Sequence, residues 1–307
     1  MAATGGDGGM AKVAFVRLAT WNVNSVKSRW QRLLPWLDQR QPDVVCLQET
    51  KLSNDAFAEL GEAAFAERGY QVVHHGEGRW NGVAIASRLG LDDPVLGLPG
   101  GPANPLGTRA LEPDLFDQGP TEQEARAVWA TCGGMRVCSV YVPNGRAPDD
   151  PHYEYKLRWL AALRDAVATV GSESVVVCGD VNIAPTDADV WDPAAFAGAT
   201  HVTPAERQAL GELCALGLRD VVRDRWPSER VFTYWDYRAG MFHRDLGMRI
   251  DLVLAGEPVA ERVCAAWVDR QARKGSAPSD HAPVIVDLDT APDGNCGPVV
   301  PPPSARR

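Results

Sequence analysis

The chain has 307 residues, of which 45% are apolar and 23% charged, a composition that suits a globular protein able to bury a sizeable core. No apolar run is long enough to span a bilayer, and residues 1–10 are Gly-rich without the basic and apolar segments of a secretion signal, so a cytoplasmic chain that engages no membrane is expected. The formal charge of −9 argues against a partner held by net charge alone, but clustered acids are what a divalent-metal site requires.

In chain order, residues 1–11 read as a disordered leader, with Met10 as an alternative start. Residues 13–22 form the first expected strand, which delivers Trp21-Asn22-Val23-Asn24 at its end. Trp30, Leu33, Leu34 and Leu37 have the spacing of an amphipathic helix, in which Pro35 predicts a kink. Residues 43–49 are a second apolar strand that closes on the carboxylate of Glu49. Ser53 is the expected N-cap of a helix with Phe57, Leu60 and Phe65 on one face. Strands follow at 70–73 and 82–86, and residues 91–120, rich in Gly and Pro, read as a long surface loop.

Two further strands are expected at 127–131 and 136–142, the second running into Tyr141-Val142-Pro143-Asn144. Tyr153, Leu157, Leu160 and Val167 mark a helix face. The β-branched run 174–178 then enters Gly179-Asp180-Val181-Asn182, where an acid and an amide two positions apart share one side of an extended chain. Alone, such a pair after a strand more often forms a turn. Thr203 and Pro204 start a helix reaching 216, followed by the aromatic cluster 232–237, a strand at 249–254, and a last strand at 283–288 directly after Ser279-Asp280-His281. Residues 290–307 read as a disordered tail, and 12–289 as a single domain.

The seven cysteines include no Cys-x-x-Cys pair, and Cys46, Cys138 and Cys178 lie in strand-like runs, as reduced core residues would. Arg238, His243, Arg244, Arg249, Arg262, Arg270, Arg273 and Lys274 lie close together and read equally as a basic face on an acidic chain or as a solvated charge run. What gathers at strand ends is mostly oxygen-bearing: Asn22, Asn24, Glu49, Tyr141, Asn144, Asp180, Asn182, Asp251, Asp280 and His281. Hard oxygen donors favour Mg²⁺ or Mn²⁺ over zinc, and phosphodiester hydrolysis needs a metal, a base for water and donors to phosphate oxygens. No Gly-x-Ser-x-Gly elbow or Gly-rich phosphate loop supports a different chemistry.

Trp21-Asn22-Val23-Asn24, Leu47-Gln48-Glu49-Thr50-Lys51, Tyr141-Val142-Pro143-Asn144, Gly179-Asp180-Val181-Asn182, Arg249-Ile250-Asp251 and Ser279-Asp280-His281 resemble, in order, the motifs of the exonuclease III family of DNA-repair nucleases. The resemblance runs over residues 13–288 and implies the fold of the endonuclease/exonuclease/phosphatase superfamily, a four-layer α/β sandwich of two mixed β-sheets packed face to face with helices outside. It implies a monomer that uses Mg²⁺ or Mn²⁺ to cleave double-stranded DNA 5′ to abasic sites, with 3′-to-5′ exonuclease activity and repair of blocked 3′ ends. By the same resemblance Glu49 is a metal ligand, with Asn22, Asn24 and Asp280 close by or bridged through water. Asp180 is the base, Asn182 orients the water, and His281, held by Asp251, meets the scissile phosphate with Tyr141 and Asn144. Tyr234, Trp235, Met248 and Ile250 fall in the region that receives the extruded abasic sugar, Met248 departing from the tryptophan of the animal enzyme. Relatives acting on RNA or a lipid phosphodiester share the Gly-Asp-x-Asn and Asp-His motifs, and a DNA-binding module without catalysis is a third reading. Trp235-Asp236-Tyr237-Arg238 favours DNA repair, and retention of every expected catalytic position opposes the inactive module.

Overall fold

The computed structural model describes residues 15–104 and 123–289, so the expected leader, the expected tail and residues 105–122 of the expected loop lie outside the described residues. One sheet contains β1 (Val16–Asn22), β2 (Val44–Gln48), β3 (Gln71–His75), β4 (Val83–Ser87), β11 (Val263–Val268) and β12 (Val284–Leu288), in the order β11-β12-β1-β2-β4-β3. The other contains β5 (Asp92–Leu96), β6 (Ala127–Cys132), β7 (Met135–Tyr141), β8 (Val175–Asp180), β9 (Leu218–Asp220) and β10 (Asp251–Gly256), in the order β5-β6-β7-β8-β10-β9. Each sheet is mixed, with one parallel pair, β1 with β2 and β7 with β8, among antiparallel neighbours.

Side-chain alternation along the strands explains the layering. In β2, Val44 and Cys46 face the other sheet while Val45 and Leu47 face the helices, and in β8 Val176 and Cys178 point inward while Val175 and Val177 point outward. The outer face of the first sheet is covered by α1 (Val26–Arg40) and α2 (Asn54–Ala66), whose Leu33, Trp36, Leu37, Phe57 and Phe65 pack against it. α3 (Pro151–Val170) and α4 (Pro204–Cys214) cover the second sheet through Trp159, Leu160, Leu163, Leu210 and Leu213. The result is the expected four-layer α/β sandwich. The Ser53 and Thr203 caps form as expected, and Thr203 with Glu206 closes a full capping box. Among the described residues no helix is long and apolar enough to cross a membrane.

Several elements differ from the sequence expectation. α1 runs through Pro35 because Trp36 beyond it is held against β1, its ring tilted at 54° to that of Trp21 with centroids 5.3 Å apart and its Nε1 donating to Asp269 Oδ2 at 3.0 Å. The expected loop begins with β5, an edge strand with every residue exposed, where Pro94 is tolerated. β9 and β11 were not expected. β9 is three residues long and β11 is rich in alanine, so neither carries a strong apolar period. Cys46, Cys132, Cys138 and Cys178 are free and buried, as core residues.

One glycine is demanded by the site itself. Gly179 sits in β8 directly before Asp180 with φ of +145°, and a Cβ there would lie 2.0 Å from the carbonyl oxygen of Val140 on β7. Gly179→Ala therefore costs about 3 kcal/mol in urea unfolding, from backbone strain together with the collision. An unchanged unfolding midpoint would contradict this close approach of β7 and β8.

Candidate active site

The strand registers place the catalytic candidates. Tyr141 of β7 and Asp251 of β10 both pair with Asp180 of β8, so the three residues form one row across adjacent strands. In the facing sheet Asn22 of β1 pairs with Gln48 of β2, which puts Glu49, one residue further, at the same end. Asn22 spans the seam: its Nδ2 donates to Glu49 Oε1 at 2.8 Å and to Asp180 Oδ2 at 3.0 Å. One buried amide thus fixes two carboxylates from different sheets.

His281 enters from the turn before β12. Ser279 Oγ donates to Asn22 O at 2.7 Å and accepts from the His281 backbone N–H at 3.2 Å, while Trp21 Nε1 donates to His281 O at 3.1 Å. The imidazole Nδ1 meets Asp251 Oδ2 at 2.8 Å, and Nε2 lies 3.7 Å from Asp180 Oδ2. Burial opposes charge on His281, but the carboxylates of Asp251 and Asp180 outweigh it and raise its pKa to about 10. Burial pushes Asp180 up to about 7, against the pull of His281. Burial also pushes the Tyr141 hydroxyl well up, and neighbouring Glu49 adds to that, so it stays a neutral donor.

Glu49, Asp180 and His281 offer ligand atoms within 4.8 Å of one another, a group able to hold a metal ion. The chain's own cation tests the fit: Lys51 Nζ lies 2.7 Å from Glu49 Oε2 and 2.6 Å from Asn24 Oδ1, so this corner already accepts positive charge. Lys51 holds the Glu49 carboxyl below its ordinary range, against the effect of burial. Asp280, expected with Glu49, stands outside that three-residue group and accepts from Asn24 Nδ2 at 3.1 Å. Asn24 therefore links Asp280 to Lys51, and its backbone N–H donates at 3.0 Å to Asn22 Oδ1, on the amide that also holds Glu49.

On the other side of Asp180, its Oδ1 accepts from the Asn182 backbone N–H at 3.0 Å, and exposed Asn144 donates to Asn182 Oδ1 at 3.3 Å. Tyr234 stands beside His281 with ring centroids 4.9 Å apart, next to a small apolar group of Ala184, Val190, Met248 and Ile250. Trp235, expected in the same pocket, is fully buried. Its indole N–H is satisfied by Asp245 Oδ1 at 3.1 Å and its ring lies under Arg270, so it supports the loop from beneath.

The expected basic face is largely neutralised within the chain. Arg249 is fully buried between Asp189 and Asp220, Arg270 pairs with Asp245, Arg262 with Asp289, and buried Arg273 donates to Trp235 O. His243, Arg244 and Lys274 remain exposed. Sequence reasoning missed Lys51 as a resident cation, and it missed His201, whose Nε2 lies 3.1 Å from Asn182 Oδ1. The signal common to both is a non-glycine backbone in the left-handed region, with φ of +55° at Lys51 and +82° at His201, as at Asn24, Glu49 and Asn182.

Two layers of sheet with carboxylates, amides and a buried imidazole at one end define a hydrolase with a candidate metal centre. The pattern of the endonuclease/exonuclease/phosphatase family matches residues 19–281, and the chain belongs to that family. Exodeoxyribonuclease III of Haemophilus influenzae is 28% identical over 295 residues, covering 89% of this chain and all of that protein. The solved AP endonuclease of Archaeoglobus fulgidus is 36% identical with a TM-score of 0.79, covering 90% of this chain and 100% of its own. A Neisseria 3′ phosphatase solved with a product DNA hairpin has the same identity, coverage and TM-score. Within the family the chain is a nuclease of the exonuclease III type.

The raised His281 pKa depends chiefly on Asp251. Asp251→Asn should lower it by roughly two units from about 10, as followed by imidazole NMR titration. An unchanged titration would show that Asp251 does not sustain the imidazolium.

Proposed function

We propose that this nuclease is a DNA-repair phosphodiesterase that cleaves double-stranded DNA 5′ to abasic sites and also trims or repairs 3′ ends, using Mg²⁺, with Mn²⁺ as a substitute. It acts as a cytoplasmic monomer through one catalytic domain spanning residues 12–289. The observation that carries this reading is the convergence of Glu49, Asp180 and His281 within 4.8 Å at the ends of both sheets, with the His281 imidazole set between Asp251 at 2.8 Å and Asp180 at 3.7 Å.

In this reading Asp180 takes the proton of the attacking water. Asn22 holds that carboxylate in place, and Asn182 orients the water from the loop just beyond. The imidazolium of His281, kept charged by Asp251, donates through Nε2 to the phosphate as negative charge develops there. Tyr141 and Asn144 supply neutral donors to the same group. Glu49 would hold the metal, with Asn22, Asn24 and Asp280 nearby or bridged through water, and the ion would supply charge neutralisation at the phosphate. Tyr234, Met248 and Ile250 form the apolar wall for an extruded abasic sugar, where pocket shape selects what enters. Trp235 stiffens that wall from behind.

A labelled duplex with one abasic site, given with Mg²⁺ beside intact single-stranded DNA, RNA and a lipid phosphodiester, tests the assignment. Nicking of the abasic duplex is expected to dominate, to vanish on metal chelation, and to fall about 10³-fold or more in Asp180→Asn and in His281→Ala with folding retained. Faster turnover of RNA or lipid would select a different member of the family's chemistry. The rate should also rise with pH to a plateau above about 7, because Asp180 acts only after losing its proton, and a bound cation moves that rise to lower pH. A profile flat from about pH 5 to 9 would remove Asp180 from the role of base.

A further inference from the structure

The turn that carries Glu49 is held from its far side by a histidine that the reaction as described does not use. Glu49 and Lys51 both have left-handed backbone, with φ of +52° and +55°, and Thr50 between them is fully buried. Backbone bonds grip this turn from two neighbouring loops. Ser25 N donates to Glu49 O at 2.7 Å and Val26 N to Thr50 O at 3.1 Å, while Thr50 N and Lys51 N donate to Gly82 O and Asn81 O at 3.1 and 3.0 Å. The Thr50 hydroxyl takes a further partner, since its Oγ1 lies 2.8 Å from Nε2 of His74 on β3.

The imidazole is itself fixed in place and in tautomer. Its ring stacks on Phe57 of α2, with centroids 4.1 Å apart and planes inclined by 6°. Nδ1 lies 2.9 Å from Asn54 Oδ1, and the same oxygen accepts from the Gly76 backbone N–H at 3.0 Å. A backbone donor thus identifies the Asn54 atom as an acceptor, so His74 carries its proton on Nδ1 and Nε2 accepts from the Thr50 hydroxyl. Burial and then His75 lower the His74 pKa to about 3, which keeps the ring neutral. Two glycines leave room for the pair: a Cβ at Gly76 would lie 2.2 Å from His74 Cε1, and one at Gly82 would lie 2.1 Å from Thr50 Oγ1.

We infer that His74 is a positioning residue for the metal corner of the site: by accepting the Thr50 hydroxyl it pins the Glu49–Thr50–Lys51 turn in the form that brings the Glu49 carboxylate to Asn22 and Lys51. The inference rests on the role proposed above for Glu49 as holder of the metal. A hydroxyl removed from water and deprived of its acceptor is costly, and the turn shifts to find it another. The left-handed residues on either side allow that shift, because they keep their conformation only while the surroundings impose it. Neither Thr50 nor His74 is among the reacting groups, so their effect passes through Glu49.

Metal-free protein titrated with Mn²⁺, with the free ion followed by EPR, reads the effect without turnover. Expected is a Kd about tenfold higher in Thr50→Val and in His74→Leu, which keeps an apolar contact with Phe57 but offers no acceptor. Thr50→Ser keeps the hydroxyl and His74→Gln places an amide oxygen near the position of Nε2, so both should recover most of the affinity. The double variant Thr50→Val with His74→Leu should bind no more weakly than the worse single one. In nicking assays the half-saturating Mg²⁺ should rise in parallel while kcat at saturating Mg²⁺ stays within about threefold, with melting temperatures within about 4 °C of wild type. Imidazole-nitrogen NMR should place the His74 proton on Nδ1, and loss of the Thr50 hydroxyl should shift the Nε2 resonance. Unchanged Mn²⁺ affinity in Thr50→Val and His74→Leu, no recovery in Thr50→Ser and His74→Gln, losses that track melting temperature, or a proton on Nε2 would overturn the inference. If wild type binds Mn²⁺ but fails to nick abasic DNA, the functional reading falls, and the Mn²⁺ comparison still decides the role of His74.

Discussion

Three carboxylates share one water-poor seam between the two sheets, and the imidazolium of His281 makes that burial tolerable. Asp180 and Asp251 are almost wholly buried, and Glu49 reaches the same end of the sandwich. Carboxylates so close and so poorly solvated would ordinarily take up protons. His281 stands between Asp251 and Asp180, Lys51 sits on Glu49, and Asn22 donates to both Glu49 and Asp180. Asp180 and Asp251 thus share His281, Asp180 and Glu49 share Asn22, and Glu49 alone takes Lys51. Burial raises the Asp180 carboxyl while Asp251 and Asp180 together raise the His281 imidazole, a pairing that suits the proposed chemistry.

The sandwich exists in a form that produces this seam. In each sheet a parallel pair, β1 with β2 and β7 with β8, ends at the same edge, and β10, antiparallel to β8, begins there with Asp251. Polar residues at those positions leave the apolar alternation of the strands undisturbed, so the core closes around the site without including it. Gly179 lets β8 approach β7 closely enough for Tyr141 and Asp180 to stand side by side. Stability and chemistry meet at that glycine, since the same backbone approach serves both.

Support for the site extends one layer further than the groups expected to act. The Lys156–Glu206 pair ties α3 to the start of α4 and to the carbonyls of Asn144 and Asn182, while Trp235 and Arg270 brace the loop carrying Tyr234. Buried pairs of this kind contribute little net stability, because desolvation offsets much of their attraction, but they restrict geometry. The left-handed backbone at Asn24, Glu49, Lys51, Asn182 and His201 fits the same view, as strain concentrated where side chains must point in unusual directions.

Much of this protein was legible before any coordinates. Short, continuous apolar runs marked β1, β2, β7 and β8, Ser53 and Thr203 marked their helices, and the motifs at strand ends named Glu49, Asp180, Asp251 and His281, because local propensity and burial act on neighbouring residues. What the chain order could not reveal was set by contacts between distant residues. Pro35 stays within a helix because Trp36 packs against the sheet, and Arg249 leaves the basic face because Asp189 and Asp220 surround it. Trp235 turns under the pocket, Lys51 lies between Glu49 and Asn24, and His201 reaches two asparagines from other loops. Which residues gather in the candidate site was thus largely written in the sequence. Their charge states, and the residues that hold them in place, were decided by tertiary structure, because desolvation and charge pairing depend on which groups the fold brings within a few ångströms.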